Sequence, residues 1–330
     1  MPRDTPILEV ADLTVSVALP DGGRAMVVND LNLQIAERDT LGLVGESGSG
    51  KTMASLAIMG LLPPSARLES GRILLEGEDL RKKSAREMQR IRGKRMAMVL
   101  QDAMTALDPS YNIRSQLTAP LRQHRGLRGR ALDTALVSAL EQVHLSAAKE
   151  RLKQYPHQLS GGMRQRVTSA IALAGQPRLL IADEPTSALD ATTQVRYLQL
   201  LQELQEQSGF ALLFVTHDLL VVRHLCKRVI VMYASQMVED GAVAEVYTSP
   251  QHPYTRALLG AIPKVGQITP LESIEGQPPD IGEQITGCRF APRCQHAQDM
   301  CRSRPPELSA RGAGRRARCW GTEPNGWIRQ

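Results

Sequence analysis

The chain has 330 residues, 42% of them hydrophobic, and a net charge of +6, which allows one large domain or one domain with an appendage. From Cys288 onward there are nine arginines and no lysine against Asp299, Glu307 and Glu323, a surplus equal to that of the whole chain. The body is therefore electrically balanced. That argues against a nucleic-acid binder, which spreads basic surface over its folded core. A basic tail suits instead an acidic partner, a phospholipid headgroup surface or a negatively charged metal centre.

Residues 7–44 read as β-rich: Ile7-Leu-Glu-Val10, Leu13-Thr-Val-Ser-Val17, a turn at Pro20-Asp-Gly-Gly23, then Thr40-Leu-Gly-Leu-Val44 running into a glycine loop. A helix is expected over 52–62, ending before Pro63-Pro64. Residues 84–175 read as largely helical, with 131–143 clearly amphipathic. Beyond them come strand 179–182, helix 192–207, strand 211–215, helix 218–226 and strand 229–233. In helix 192–207, Val195, Leu198, Leu201 and Leu204 are expected to form the buried face. This alternation predicts an α/β fold with helices on the faces of a sheet. The residues near 103–175 form an inserted helical subdomain. After Pro263 the periodicity dissolves into Pro, Gly and Arg, giving a domain over 1–262 and a small cysteine-containing extension over 263–330, too poor in apolar residues to fold well unaided. No apolar run reaches the roughly 20 residues needed to cross a bilayer; the most hydrophobic, 211–222, is interrupted by His217 and Asp218. Met-Pro-Arg-Asp-Thr-Pro at the N-terminus lacks an apolar signal core. A cytoplasmic location is expected.

Four blocks carry the chemistry. Gly45-Glu46-Ser47-Gly48-Ser49-Gly50-Lys51-Thr52 follows an apolar strand and opens a helix, the context a P-loop requires. Its glycines let backbone N–H groups face phosphates at a helix N-terminus. Lys51 is expected to reach the β- and γ-phosphates of a nucleotide, and the Thr52 hydroxyl to coordinate Mg²⁺. Leu159-Ser160-Gly161-Gly162-Met163 opens another helix and offers a second anion site. Asp183 closes an apolar strand, as a magnesium ligand would, and Glu184 follows it ahead of Pro185-Thr-Ser-Ala-Leu-Asp190. His217 ends another strand, with Asp218 opening the next helix.

In this order the blocks resemble the ATP-binding cassette of ABC transporters, over roughly the first four-fifths of the chain. The resemblance implies a P-loop NTPase fold of the ABC type and an ATP hydrolase. Glu184 would polarise the attacking water. His217 would hydrogen-bond the γ-phosphate. Gln101, after Met96-Ala-Met-Val-Leu100, would be the Q-loop glutamine touching Mg²⁺ and water, with loop 102–110 passing closure to a membrane subunit. Ser160, Gly161, Gly162 and Met163 would serve the nucleotide of a second ATPase subunit, identical or homologous, in a head-to-tail dimer, and Asp190 would lie in the D-loop between the two sites. Met163 replaces the commoner Gln with little expected consequence. The family's adenine-stacking aromatic has no counterpart, since Val17 occupies its place, so loose base discrimination is expected.

Five cysteines, four of them clustered, argue for metal rather than disulfides. Cys288, Cys294, Cys301 and Cys319 suit an iron–sulfur cluster or Zn²⁺, and unmetallated thiols remain open. The absence of a C-x2-C pair favours iron–sulfur. Cys226 reads as a buried small side chain. With His252-Pro-Tyr-Thr and Pro278-Pro279, the tail resembles ATPase subunits of the oligopeptide, dipeptide and nickel importers, in which such cysteines are associated with [4Fe–4S]. That implies two integral permeases, an extracytoplasmic solute-binding protein, a peripheral position on the cytoplasmic face of the inner membrane, and no nucleic acid. The variant is a nickel or metallophore importer. A soluble ABC ATPase of DNA repair or translation would show two cassettes, coiled-coil arms or a basic core. A non-hydrolysing regulatory cassette would not keep Lys51, Asp183, Glu184 and His217 together.

Overall fold

The computed structural model describes residues 6–101, 103–262, 274–312, 314–323 and 326–328. The expected domain boundary at residues 262 and 263 abuts the stretch 263–273, and Pro263 lies outside the described residues, as does residue 102 at the start of the expected Q-loop. The chain forms two compact units that interleave in sequence. The first comprises Met1–Leu8, Gln34–Asp39 and Leu74–Phe214; the second comprises Glu9–Leu33, Thr40–Ile73 and Val215–Gln330.

In the first unit, strands Met96–Val99 and Leu179–Asp183 pair in parallel, with Met96 opposite Leu179 and Val99 opposite Ala182. Strand Ala211–Thr216 lies on the other side of Leu179–Asp183. Leu179–Asp183 is buried along its whole length, as a strand covered on both faces must be. Met96–Val99 interrupts the block 84–175 that the sequence reads as helical. The remainder is helical: Ala85–Ile91, Ala103–Ala106, Ile113–Arg125, Gly129–Gln142, Ala148–Arg151 and Gly161–Leu173.

Helix Ile113–Arg125 shows why these segments form. The Asn112 side chain accepts from the Ser115 N–H at 2.9 Å. Ile113, Leu117 and Leu121 then recur every fourth residue and are buried, and Gly126 ends the helix at φ 66°.

Helix Ala191–Ser208 is where the expected apolar face is corrected. Tyr197, Leu200, Leu201 and Leu204 are buried, whereas Val195 is 55% exposed. A strict three-residue spacing drifts around a helix of 3.6 residues per turn. Val195 therefore falls off the face that Leu201 and Leu204 define, and Tyr197, whose hydroxyl meets Ser169 Oγ at 2.8 Å, takes its place.

In the second unit, strands Arg24–Ile35, Leu8–Ala18 and Ala66–Leu75 lie side by side in that order. Strand Thr40–Val44, buried throughout, pairs in parallel with Arg228–Tyr233. Arg228–Tyr233 pairs antiparallel with Gln236–Ala242. The helix after the glycine loop, Lys51–Met59, stops earlier than expected because Gly60 adopts φ 63° and its N–H returns to Ala57.

The cysteine tail is more ordered than its composition promises. Arg316 and Ala317 pair with Asp240 and Glu239, and Ser309 and Ala310 pair with Ala317 and Arg316. The strand Gln236–Ala242 thus gains a continuation from the tail. Phe290, Ala291 and Ala317 join the core.

Much of the tail's positive charge is met inside this unit. Asp240, 1% exposed, accepts from Arg228 Nη2 and Arg316 Nη2, both at 2.7 Å. Arg315 lies 3.6 Å from the buried Glu239, and Arg318 lies 3.5 Å from Asp30. The acidic partner expected of the tail is in large part the chain's own body. Replacing Arg228 and Arg316 together with Met strands a buried carboxylate and should cost about 3–5 kcal/mol. Asp240→Asn, which removes the charge itself, should cost less; urea midpoints compare the two.

Candidate nucleotide-binding site

The candidate residues fall in both units. In the second, the glycine loop leaves strand Thr40–Val44 under tight steric limits. A Cβ on Gly45 would sit 2.1 Å from the Met232 carbonyl oxygen, and one on Gly50, at φ 99°, would sit 2.0 Å from that of Val27. Only glycine fits at these two points. Lys51, 4% exposed, bends back over the loop, and its Nζ donates to Gly45 O at 2.7 Å and Glu46 O at 2.9 Å. Ser49 is buried, whereas Ser47, Gly48 and Thr52 are exposed.

Glu46 is held from a direction the sequence did not disclose. Its N–H donates to the Tyr254 hydroxyl at 2.9 Å. Its carboxylate takes both arms of Arg293, at 2.8 and 3.3 Å. His217 follows strand Ala211–Thr216 and is exposed, while Asp218 caps helix Leu219–Leu225 by accepting from the Leu220 N–H at 2.8 Å. Val17, half-buried, lies in a strand that contains no aromatic residue.

In the first unit, Asp183 is 1% exposed at the end of its strand. Glu184 follows at φ 42°, a left-handed conformation that is strained for a residue with a side chain and of a kind concentrated at functional sites. Gln101 Nε2 donates to Glu184 Oε2 at 3.3 Å, so these two candidates, 83 residues apart, are brought together. Ser160 is the N-cap of helix Gly161–Leu173, and its Oγ accepts from the Met163 N–H at 3.3 Å. Gly161 has open space around it, while a Cβ on Gly162 would meet Thr193 at 2.6 Å. Asp190 caps helix Ala191–Ser208, accepting from Thr193 N at 3.0 Å and Thr193 Oγ1 at 2.7 Å. These bonds, the hydroxyl's first, hold its carboxyl below the usual carboxylate range.

Cys288, Cys294, Cys301 and Cys319 all line one cavity of about 20 Å³, together with His252, Phe290 and Trp327. Burial pushes the Cys288 thiol up to about 12 and the Cys294 thiol up to about 11, and it raises that of Cys319. The donor set is right in kind for a four-thiolate centre. Among the described residues, however, no three His, Cys, Asp or Glu side chains are arranged to hold a metal ion. Cys226 is buried, as expected, at the end of helix Leu219–Leu225.

A glycine loop between a buried strand and a helix, a strand ending in Asp-Glu, and a capped Ser-Gly-Gly helix define a nucleotide-hydrolysing cassette. Residues 28–187 match the ABC transporter family, and residues 238–301 match the oligopeptide/dipeptide transporter C-terminal region. A Brucella ovis protein named for peptide import ATP binding is 43% identical over 327 residues, which cover 95% of this chain and 96% of that one. A similarly named Brucella abortus protein is 42% identical, covering 96% and 95%. An ATP-binding cassette solved as a dimer in a post-hydrolysis state with ADP and Pi superposes with TM-score 0.64 at 27% identity, covering 72% of this chain and 98% of that one. The cbiO1 protein of Clostridium perfringens, part of an ABC transporter complex, gives 0.63 at 25%, covering 74% and 91%. The chain belongs to the ATP-binding proteins of the ABC transporter family, and it is an ATPase.

The sequence reading missed Tyr254 and Arg293 as neighbours of the glycine loop. His252-Pro-Tyr254 was visible as a motif without a task, and Arg293 was one of nine tail arginines. Gly45→Ala should weaken ATP binding about tenfold or more, because the added methyl must displace the loop from the Met232 carbonyl. Calorimetric titration with Mg-ATP measures this.

Proposed function

We propose that the chain energises an ABC importer of di- and oligopeptides by binding and hydrolysing ATP. The observation that carries this is the near-full-length likeness to proteins named for peptide import, which extends through the oligopeptide/dipeptide C-terminal region. The domain reading that accompanies it is a cassette over 1–262, with its helical subdomain near 103–175, and an extension over 263–330.

The site residues have distinct tasks in this reading. Amides of the loop Gly45–Gly50 bind phosphate, and Lys51 supplies positive charge to the β- and γ-phosphates. Thr52, Asp183 and Gln101 are the groups that would hold Mg²⁺, whose chemistry is to neutralise charge on the phosphates. Glu184 accepts a hydrogen bond from the attacking water, oriented by the Gln101 amide that already touches its carboxylate. His217 donates to the γ-phosphate. Phosphoryl transfer requires mainly this positioning and charge. The helix N-terminus at Ser160, Gly161, Gly162 and Met163, of which Ser160 and Gly161 are exposed, is suited to binding the nucleotide of a second ATPase subunit, with Asp190 near the junction.

Among the described residues no helix is long and apolar enough to cross a membrane. In the importer reading, which rests on the likeness to peptide-import ATP-binding proteins, the chain acts at the cytoplasmic face of the inner membrane, on two integral permeases that receive solute from an extracytoplasmic binding protein. The tail cysteines are read as a [4Fe–4S] site, with Zn²⁺ as the alternative. Their thiol chemistry and shared cavity support this, while their present arrangement does not meet a ligand set. No step of hydrolysis passes through them. Iron analysis and a visible spectrum after anaerobic purification test the cluster; an iron-free, colourless protein removes it.

Glu184→Gln should lower ATP turnover about a hundredfold or more while ATP still binds and an ATP-bound dimer accumulates on size-exclusion chromatography. Unchanged turnover would remove Glu184 from catalysis. Membrane co-purification with permeases supports import, and recovery with ribosomes or DNA refutes it. With Val17 in place of an aromatic, ATP and GTP should be turned over with KM values within about tenfold of each other, since base stacking contributes about 1–3 kcal/mol where present. A strong ATP preference would contradict that expectation.

A further inference from the structure

Glu46 is the one acidic side chain in the loop Gly45–Gly50. A carboxylate there opposes any polyanion bound by the loop's amides, because like charges a few ångströms apart repel. Its charge is met by Arg293, whose guanidinium makes a two-armed bond at 2.8 and 3.3 Å. Arg293 is itself fixed from several sides. Its side chain is 6% exposed, its Nε donates to Glu275 O at 3.0 Å, and its Nη1 lies 3.3 Å from the Tyr233 hydroxyl. The guanidinium carbon stands 5.8 Å from the Tyr233 ring centroid.

The same corner holds the loop at a second atom, through the Tyr254 hydroxyl that accepts from the Glu46 N–H. Tyr233, Tyr254 and Phe290 pack mutually, with centroids 4.6, 5.2 and 5.4 Å apart. A third tie runs from Arg289 to the Ala234 carbonyl at 2.6 Å, next to Ser235, whose N–H donates to Ser49 O at 3.2 Å. Arg289, Phe290 and Arg293 all belong to the short segment between Cys288 and Cys294.

We propose that Arg293 is a positioning residue for ATP: it neutralises Glu46 and, with Tyr254, fixes the start of the phosphate loop. The tail thereby acts on the nucleotide site without touching the nucleotide. This rests on the reading of Gly45–Thr52 as the ATP phosphate loop. Bidentate pairing makes the site specific for arginine, since an ammonium cannot span both carboxylate oxygens in one plane.

The test uses the full chain and Mg-ATP titrated calorimetrically, with melting temperatures taken without nucleotide. Arg293→Gln is expected to weaken ATP binding about tenfold, because it leaves Glu46 charged beside the phosphates. Adding Glu46→Gln to that variant is expected to restore affinity to within about threefold of the parent, since no charge then needs an arginine. KM should carry the effect, with kcat at saturating ATP changed by less than about twofold. Should Arg293→Gln fail to fold, Arg293→Lys supplies the same comparison, with an intermediate loss relieved by Glu46→Gln. Parental affinity in the Arg293 variants overturns the proposal, as does a loss that Glu46→Gln does not relieve, which would make Arg293 only a structural tie. Failure of the parent chain to bind ATP, or equal binding by Lys51→Ala, overturns the ATP-loop reading instead.

Discussion

Two adjacent carboxylates on strand Gln236–Ala242 impose the constraint from which much of the second unit follows. Glu239 and Asp240 are 0% and 1% exposed, and a buried charge is tolerated only when it is paired or hydrogen-bonded. Neighbouring strand residues point to opposite faces, so the two are met by different partners. Glu239 accepts the N–H groups of Gln251 and His252 at 2.7 and 2.9 Å. Those bonds set the start of helix Pro253–Gly260, where the His252 imidazole accepts from the Tyr254 N–H at 3.0 Å. Burial first, and the nearby Arg318 second, pull the His252 pKa down to about 3, which keeps the ring neutral, while the Tyr254 N–H selects the tautomer whose Nδ1 is bare. Asp240 gathers Arg228 and Arg316 and brings the tail alongside as an extra strand. One carboxylate thus places Tyr254 and the other anchors the tail that carries Arg293.

The catalytic candidates show a different economy. Local tasks already occupy two of the candidate site residues: Ser160 and Asp190 each cap a helix. Capping rigidifies the backbone around these side chains, so an exposed helix start can serve as a pre-formed anion surface. Glu184 is the exception. Its φ of 42° precedes Pro185, a position where the extended region is normally favoured. The Ser187 N–H and hydroxyl both donate to the Glu184 carbonyl, at 3.2 and 3.1 Å, and hold the turn in place.

What could be read in the sequence was whatever depends on local order along the chain. The glycine loop, the Asp183-Glu184 strand end, the Ser160 helix start and the α/β alternation each leave a contiguous signature. Strand Met96–Val99 was obscured by helical neighbours on both sides, and Val195 was misplaced by counting in threes. How the tail is held was less legible. Its apolar poverty is real, but its order comes from ion pairs and backbone pairing with residues some 75 positions earlier, such as Arg316 with Asp240. The pairing of Glu46 with Arg293 spans 247 residues, and no local pattern encodes such a distance. The four cysteines were legible as a group, and they do line one cavity, but spacing alone could not fix their mutual geometry.

The strand formed by Arg316 and Ala317 has a bearing on solubility. Without it, Gln236–Ala242 would present its outer row of amides and carbonyls to solvent, a ready template for adding a strand from another molecule. Ser309 and Ala310 then back this cap with a second, very short rung, and short rungs offer little length for intermolecular growth. The arginine-rich segment therefore also works as a selvedge, finishing the sheet so that it does not unravel into association with its neighbours.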